Sequence, residues 1–260
     1  MNEVITSRDN PVFKRLKKLA ESSRARREAR MTLLDGEHLL AAFLEAGGIP
    51  QTLLFSASCA ESFRQGLGSR CGACKTVVLA DSLFGELSPV NTPTGVLAEA
   101  PWLELKPAGG VPLVLVLEDI QDPGNLGAML RTGAAAGATL AVLSKGCHDP
   151  WSPKALRGGQ GAQFVLPMLI GVELPEWLAG FDGQRIALAL NHHANFYAQN
   201  LSGATALVVG NEGAGISDAV LRAVDVVAQI PMPGKIESLN AAAALAVAAF
   251  EAVRQRMNKI

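Results

Sequence analysis

The stretch QIPMPGKIESLNAAAALAVAAF, Gln229 to Phe250, sets a loop of Pro, Gly, Lys, Glu and Ser against an almost unbroken run of alanine and aliphatic residues. The run predicts a helix over 239–256, apolar on every side, and such a helix is enclosed by neighbours rather than laid on a surface. The loop before it has the opposite character. Its glycine permits close backbone approach, and Lys235, Glu237, Ser238 and Asn240 bring polar groups to the start of the helix. The question is what the loop holds.

Working outward, the second half of the chain alternates strand and helix patterns. Val111 to Leu117 (VPLVLVL) is a continuous apolar strand, as expected where both sheet faces are covered. Leu126 to Ala136 reads as a helix stopped by Gly137; Thr139 to Leu143, Phe164 to Leu166, Ile186 to Leu190 and Ala206 to Val209 read as further strands. This alternation predicts an α/β domain with a largely parallel sheet. The first hundred residues predict a small αβα unit. Asn10-Pro11 starts a basic helix over Lys14 to Arg30 that breaks around Ser22-Ser23, and Leu33-Leu34 is a short strand. A helix over Gly36 to Ala46 follows, then strands at Thr52 to Phe55 and Thr76 to Leu79 with a helical piece between them, and Val96 to Ala98 completes the sheet. Leu105 to Gly110 is the expected linker, giving domains over 1–104 and 105–260.

Composition narrows the function classes. The 260 residues carry a formal net charge of -1, but Lys14, Arg15, Lys17, Lys18, Arg24, Arg26, Arg27 and Arg30 stand against only Glu21 and Glu28 in their stretch. That excess is an electrostatic footprint for a nucleic acid. It coexists with an amphipathic helix, since Val12, Phe13, Leu16 and Leu19 recur at helical spacing. No apolar run of bilayer length and no signal-peptide core are present, so the expectation is a soluble, cytoplasmic protein. Cys59, Cys71, Cys74 and Cys147 do not form a disulfide framework, and Cys71-x-x-Cys74 lacks the second pair of a structural zinc site, so no metal is expected.

In open parallel sheets, ligands bind beyond the carboxyl ends of the strands. Three loops there combine glycine with polar side chains: EDIQDPGNLGAMLRTG, with Asn125, Gly127 and Arg131; GNEGAGIS, with Gly210 and Glu212; and IPMPGKIESLN, with Ile230, Ser238, Leu239 and Asn240. Gly210, Gly213 and Gly215 do not match G-x-G-x-x-G, and a Walker A loop is absent, which counts against a nicotinamide-dependent oxidoreductase. Glu212 and Asn240 need partners if buried. Arg131 lies among Ala, Leu, Met and Gly, with Glu118, Asp119 or Asp122 as candidate ion-pair partners. His192 and His193 read as a polar loop at the sheet rim, and His148-Asp149 as a turn before Pro150.

Taken together, the ordered motifs NLGAMLRTGAAAG, LVVGNEGAGIS and IPMPGKIESLNAAAALAVAAFE resemble those of the SpoU, or TrmH, family of RNA ribose 2'-O-methyltransferases in the SPOUT superfamily. SPKALRGGQGAQFVLP is similar to the segment between them, with Gly159 where many members carry Ser, and SRDNPVFKRLKKL and LDGEHLL look like the family's substrate-binding domain. The resemblance implies a SPOUT domain with a C-terminal trefoil knot, a homodimeric active site and S-adenosylmethionine as cofactor. It further implies that Gly210, Ile230 and Leu239 contact that cofactor, mainly through backbone. Asn125, Arg131, Glu212, Ser238 and Asn240 would line the reacting centre, with Glu212 and Asn125 orienting Arg131. Large-subunit ribosomal RNA is the preferred substrate; transfer RNA, or a non-catalytic RNA-binding or ribosome-assembly role, is the alternative.

Overall fold

The computed structural model of the chain describes residues 4–59, 66, 71, 72, 74–107, 109–190 and 194–257. The chain packs as two units, Met1–Glu104 with Asp149–Phe164, and Leu105–His148 with Val165–Ile260. The excursion Asp149–Phe164 departs from the uninterrupted second domain over 105–260 expected from the sequence. Its side chains explain why: Phe164 meets Phe43 edge-on at 5.2 Å, Trp151 stacks on Trp102 at 5.1 Å, and Thr32 Oγ1 donates to the Trp151 carbonyl. Burying these aromatic rings ties the segment to the first unit.

In the first unit, Asn10 caps the helix Pro11–Glu21 by accepting from the Val12 amide. Ser22 ends that helix through its own amide on the Lys18 carbonyl and caps the helix Ser23–Ala29 with its hydroxyl, so the expected break falls at one residue with two roles. The strands are β1 (Val4–Ile5), β2 (Met31–Asp35), β3 (Thr52–Ser56), β4 (Lys75–Leu79) and β5 (Val96–Pro101), in the order β1-β4-β3-β5-β2. β1 and β3 run parallel to β4, while β5 is antiparallel to both β3 and β2. Phe13, Leu16 and Leu19 seat the first helix on the sheet against Leu33, Leu54 and Leu97. The helical piece expected between β3 and β4 lies largely outside the described residues.

Two of the buried charges in the same unit have opposite consequences. The Arg26 side chain is 4% exposed, pairs with Asp149 at 2.7 Å and donates to the Leu19 and Ala20 carbonyls at the end of the preceding helix. It is therefore a structural arginine, which corrects its sequence assignment to the RNA-binding set. Asp35 is 3% exposed, with Ser88 Oγ at 3.3 Å and Arg157 at 3.6 Å; burial, only partly offset by those two partners, pushes its carboxyl pKa above the ordinary 3.8. Gly159 also finds its reason here. A Cβ there would lie 2.3 Å from Oε1 of the fully buried Gln163, whose amide Nε2 donates to the Pro150 and Ala155 carbonyls. A side chain at this position would require the glutamine amide to shift and give up those hydrogen bonds.

The second unit is a sheet of β6 (Leu113–Leu117), β7 (Leu140–Ser144), β8 (Met168–Val172), β9 (Gln184–Leu188), β10 (Ala194–Asn195), β11 (Thr205–Val209) and β12 (Val226–Gln229). The order is β10-β12-β9-β11-β6-β7-β8 and every pairing is parallel. The all-apolar β6 and β11, which is apolar after its first residue Thr205, sit side by side at the centre, where both faces are covered. The strand expected at Phe164 to Leu166 is displaced: Ala162–Phe164 is a 3-10 turn and β8 begins only after Pro167. Proline has no amide for the ladder, and its carbonyl accepts from Ala141 instead. β12, which the sequence pattern did not reveal, is a four-residue strand following the one-turn helix Asp218–Leu221. The closing helix, Ala241–Met257, packs on the helix Pro123–Ala135, and Arg256 fastens its end to the carbonyls of Leu201, Gly203, Val111 and Pro112. Among the described residues no helix is long and apolar enough to cross a membrane.

Arg26→Ala is expected to destabilise the protein by about 3–5 kcal/mol in chemical denaturation, because it strands Asp149 without a counter-charge. Asp35→Asn should do the reverse at neutral pH. With its pKa raised in the folded state, Asp35 binds more protons folded than unfolded between 3.8 and the folded value, so stability falls as pH rises through that window. The amide removes this cost. Thermal melts should show the variant gaining stability at pH 7 and converging with the parent as the pH is taken below 3.8.

Candidate active site

A cavity of about 590 Å³ opens beyond the carboxyl ends of β9, β11 and β12. Its size lies within the roughly 300–1,000 Å³ typical of small-molecule sites. Aliphatic walls come from Leu188, Val209, Ile216, Ile230 and Leu239, and the polar lining includes Glu212, Ser238 and Asn240. Among the described lining residues there is one carboxylate and no Lys or Arg. Such a lining suits a ligand with an apolar body and a positive centre, and it is unsuited to a pyrophosphate.

The loop following β11 is a tight turn braced from within. Asn211 Oδ1 accepts from the Gly213 and Ala214 amides, and the Asn211 and Gly215 backbones bond each other in both directions. Gly210 is required there, since a Cβ would lie 2.3 Å from the Gly215 carbonyl oxygen. The loop is also tied to the segment following β6: Asn211 Nδ2 donates to the Asp119 carbonyl, and the Ser217 amide and hydroxyl both donate to the buried Glu118 carboxylate. Sequence reasoning missed these braces, although an Asn opening a glycine-rich turn is the signal for such an Asx turn.

Three of the expected site residues meet directly. Asn125 Nδ2 donates to Glu212 Oε1 at 2.8 Å, Asn240 Nδ2 donates to Asn125 Oδ1 at 3.2 Å, and Asn240 Oδ1 caps the closing helix through the Ala242 and Ala243 amides. The direction of the whole chain is set at one end. An ionised carboxylate only accepts, so Asn125 must present its amide nitrogen to Glu212, its oxygen then faces Asn240, and Asn240 turns its own oxygen to the helix. Gly210, Ile230, Ser238 and Leu239 line the cavity with Glu212 and Asn240, whereas Asn125 and Arg131 are outside its lining.

Arg131 stands apart. It is exposed and has no hydrogen-bond or ion-pair partner among the described residues. Each of its candidate partners is engaged elsewhere: Glu118 by Ser217, Asp119 by Ser144, and Asp122 as the cap of the helix Pro123–Ala135. Glu212 and Asn125 bond one another and do not orient Arg131 within this chain, contrary to the expectation. His192 and His193 lie outside the described residues.

The basic stretch of the first unit sorts by partner. Arg15 reaches the fully buried Glu99 with both terminal nitrogens, and Lys17 lies beside Glu21 and Glu86. Lys14, Arg24 and Arg30 form exposed pairs with Asp9, Glu28 and Glu104, while Lys18 and Arg27 have no partner among the described residues. Exposed pairs of this kind are weak and exchange readily for phosphate.

The two units thus offer different surfaces: one a parallel sheet with a cation-compatible cavity at its carboxyl edge, the other a basic helical face of the kind that meets nucleic acid. Residues 112–250 match the SpoU rRNA Methylase family, and residues 10–98 match the MRM3-like substrate binding domain. The chain is 32% identical over 249 residues to the 23S rRNA (guanosine(2553)-2'-O)-methyltransferase RlmP of Bacillus subtilis (strain 168), covering 95% of this chain and 97% of that protein. A crystal structure of an RNA 2'-O ribose methyltransferase superposes with a TM-score of 0.81 at 30% identity, covering 98% of this chain and 100% of the other. The SpoU methyltransferase AviRb from Streptomyces viridochromogenes, in complex with the cofactor AdoMet, gives 0.82 at 26% identity over 96% of this chain and 100% of its own. The chain belongs to the SpoU rRNA methylase family.

Asn125→Asp tests the directed chain without changing size. It sets a carboxylate against Glu212, and loss of a charged hydrogen bond is worth about 1.5–3 kcal/mol. Amide hydrogen exchange at Gly213 and Ala214 should accelerate by roughly ten- to a hundredfold. Asn240→Asp keeps a good helix cap, so protection at Ala242 and Ala243 should persist.

Proposed function

We propose that the protein transfers a methyl group from S-adenosylmethionine to a ribose 2'-hydroxyl of ribosomal RNA. The observation that carries this reading is the cavity at the carboxyl edge of β9, β11 and β12, with a single carboxylate, Glu212, and no cation among its described lining residues. S-adenosylmethionine supplies a methyl group on a positively charged sulfur, which this lining suits. Gly210, Ile230 and Leu239 would hold it, with Ser238 and Asn240 completing the polar contacts. Leu188 and Ile216 add apolar wall that excludes water.

Methyl transfer needs the hydroxyl aligned behind the methyl, and positioning of this kind lowers a barrier by roughly 7–11 kcal/mol. In this reading Arg131 meets the ribose. Its guanidinium stabilises the negative charge that develops on the hydroxyl oxygen as its proton passes to water, and it holds the adjoining phosphate. Two features support a homodimer: the unpartnered Arg131, and a closing helix that leaves Phe250 49% exposed. β11 between β9 and β6, with the 230–240 segment running past the loop after β11, supports the family's trefoil knot. The relatives named as 23S rRNA methyltransferases favour ribosomal over transfer RNA as the substrate in this reading, with the cytoplasm as its place of work.

The test is incubation of the purified protein with radiolabelled S-adenosylmethionine and total RNA from cells lacking it. Label at one alkali-resistant linkage of a large ribosomal RNA is expected. Arg131→Ala should bind the methyl donor like the parent in calorimetry yet lose about 10²–10³-fold in transfer. Binding of the donor with no transfer to any RNA fraction, including assembly intermediates, overturns the assignment.

A further inference from the structure

In the first unit, the residue that closes the second helix has an unusual backbone for its type. Arg30 sits at φ 51, ψ 40, the left-handed position that glycine or asparagine ordinarily takes at a helix end. A residue with a Cβ is disfavoured there by about 1 kcal/mol, so the side chain at this position needs its own reason. The backbone is held by its neighbours: the Arg30 carbonyl accepts from the Trp102 amide at 2.9 Å, directly after β5.

The side chain continues that contact. The Arg30 guanidinium carbon lies over the Trp102 ring, 5.5 Å from its centroid. The indole of Trp151 is stacked on Trp102 at 5.1 Å with an interplanar angle of 10°. The three form one contiguous group that runs from Trp151, only 3% exposed, through Trp102 to Arg30, whose side chain is 58% exposed. Trp102 Nε1 is buried without a hydrogen-bond acceptor, so the middle ring is kept for its faces rather than for its N–H. Glu104 accepts from one terminal nitrogen of Arg30 at 3.1 Å, an exposed pair that leaves the Arg30 side chain more than half accessible. Lys18 and Arg27 have nothing equivalent beneath them among the described contacts.

An ordinary phosphate contact needs only charge on a flexible stem, and a lysine serves as well. A planar cation backed by two stacked indoles is suited to a flat, unpaired partner, because nucleobases freed from a helix stack on arginine planes as well as on aromatic rings. We infer that Arg30, seated on Trp102 and Trp151, is a stacking platform for an unpaired nucleobase of the substrate RNA. The inference rests on the RNA-directed reading above and adds a contact that distinguishes single strands from duplex.

The experiment compares the full-length protein with Arg30→Lys, measuring affinity for a short mixed-sequence single-stranded RNA and for the duplex of the same sequence. Labelled-methyl transfer to ribosomal RNA is followed in the same preparations. Arg30→Lys keeps the charge and leaves the backbone requirement unchanged, and Arg30→Gly, suited to the left-handed position, checks that folding is not the cause. Single-strand affinity should fall about fivefold or more in both variants, the lower end of what base stacking contributes. Duplex affinity should be unchanged in Arg30→Lys. Equal losses on both RNAs, or none on the single strand, overturn the platform. If the parent transfers methyl while Arg30→Lys binds single strands like the parent, the platform alone falls. If the parent transfers none but the single-strand loss is seen, the methyltransferase reading falls and the platform stands.

Discussion

β11 lies between β6 and β9, in register so that Val209 stands beside Leu117. A slip of one residue would exchange the side chains packed on the two covered faces, each fitted to different neighbours. That fixed register brings the loop after β11 alongside the segment after β6, where Glu118 takes Ser217 and the Asp119 carbonyl takes Asn211. The cavity and its glycine-braced turn follow from this pairing.

On that foundation a single charge organises three loops. Glu212 accepts only, which orients Asn125, which orients Asn240, which caps the last helix. The amides do their work as relays of direction, so a substitution that preserves shape but alters donor and acceptor pattern disturbs elements distant in sequence. Arg131 has no part in this network and no partner among the described residues, so the network keeps its shape without it.

Much of this was legible from residues. The buried β6 run, the break at Ser22, the need of Glu212 and Asn240 for partners, and the separation of small-molecule loops from the basic stretch all follow from composition and spacing. Errors arose where rotation or a distant partner decided. In an unbroken helix turning about 100° per residue, Arg26 lies only ~20° from Leu19 and so beside the apolar face; grouping the basic residues by charge passed over that spacing, and the partner that confirms it, Asp149, is distant in sequence. The apolar segment at Phe164 looked like a strand because its hydrophobicity serves an aromatic cluster with Phe43 and Trp151, whose distance in sequence hides the contact. Arg131 could not be assigned a partner by listing nearby acids, since each acid was already engaged.

The closing helix spans the sheet from end to end. Its first cap, Asn240, is part of the network at the cavity, and its far end is held by Arg256 to backbone oxygens that precede β6 and β11. The helix is therefore a strut between the two ends of the strands, and loosening Arg256's grip on one end would loosen the cap that helps to shape the cavity at the other.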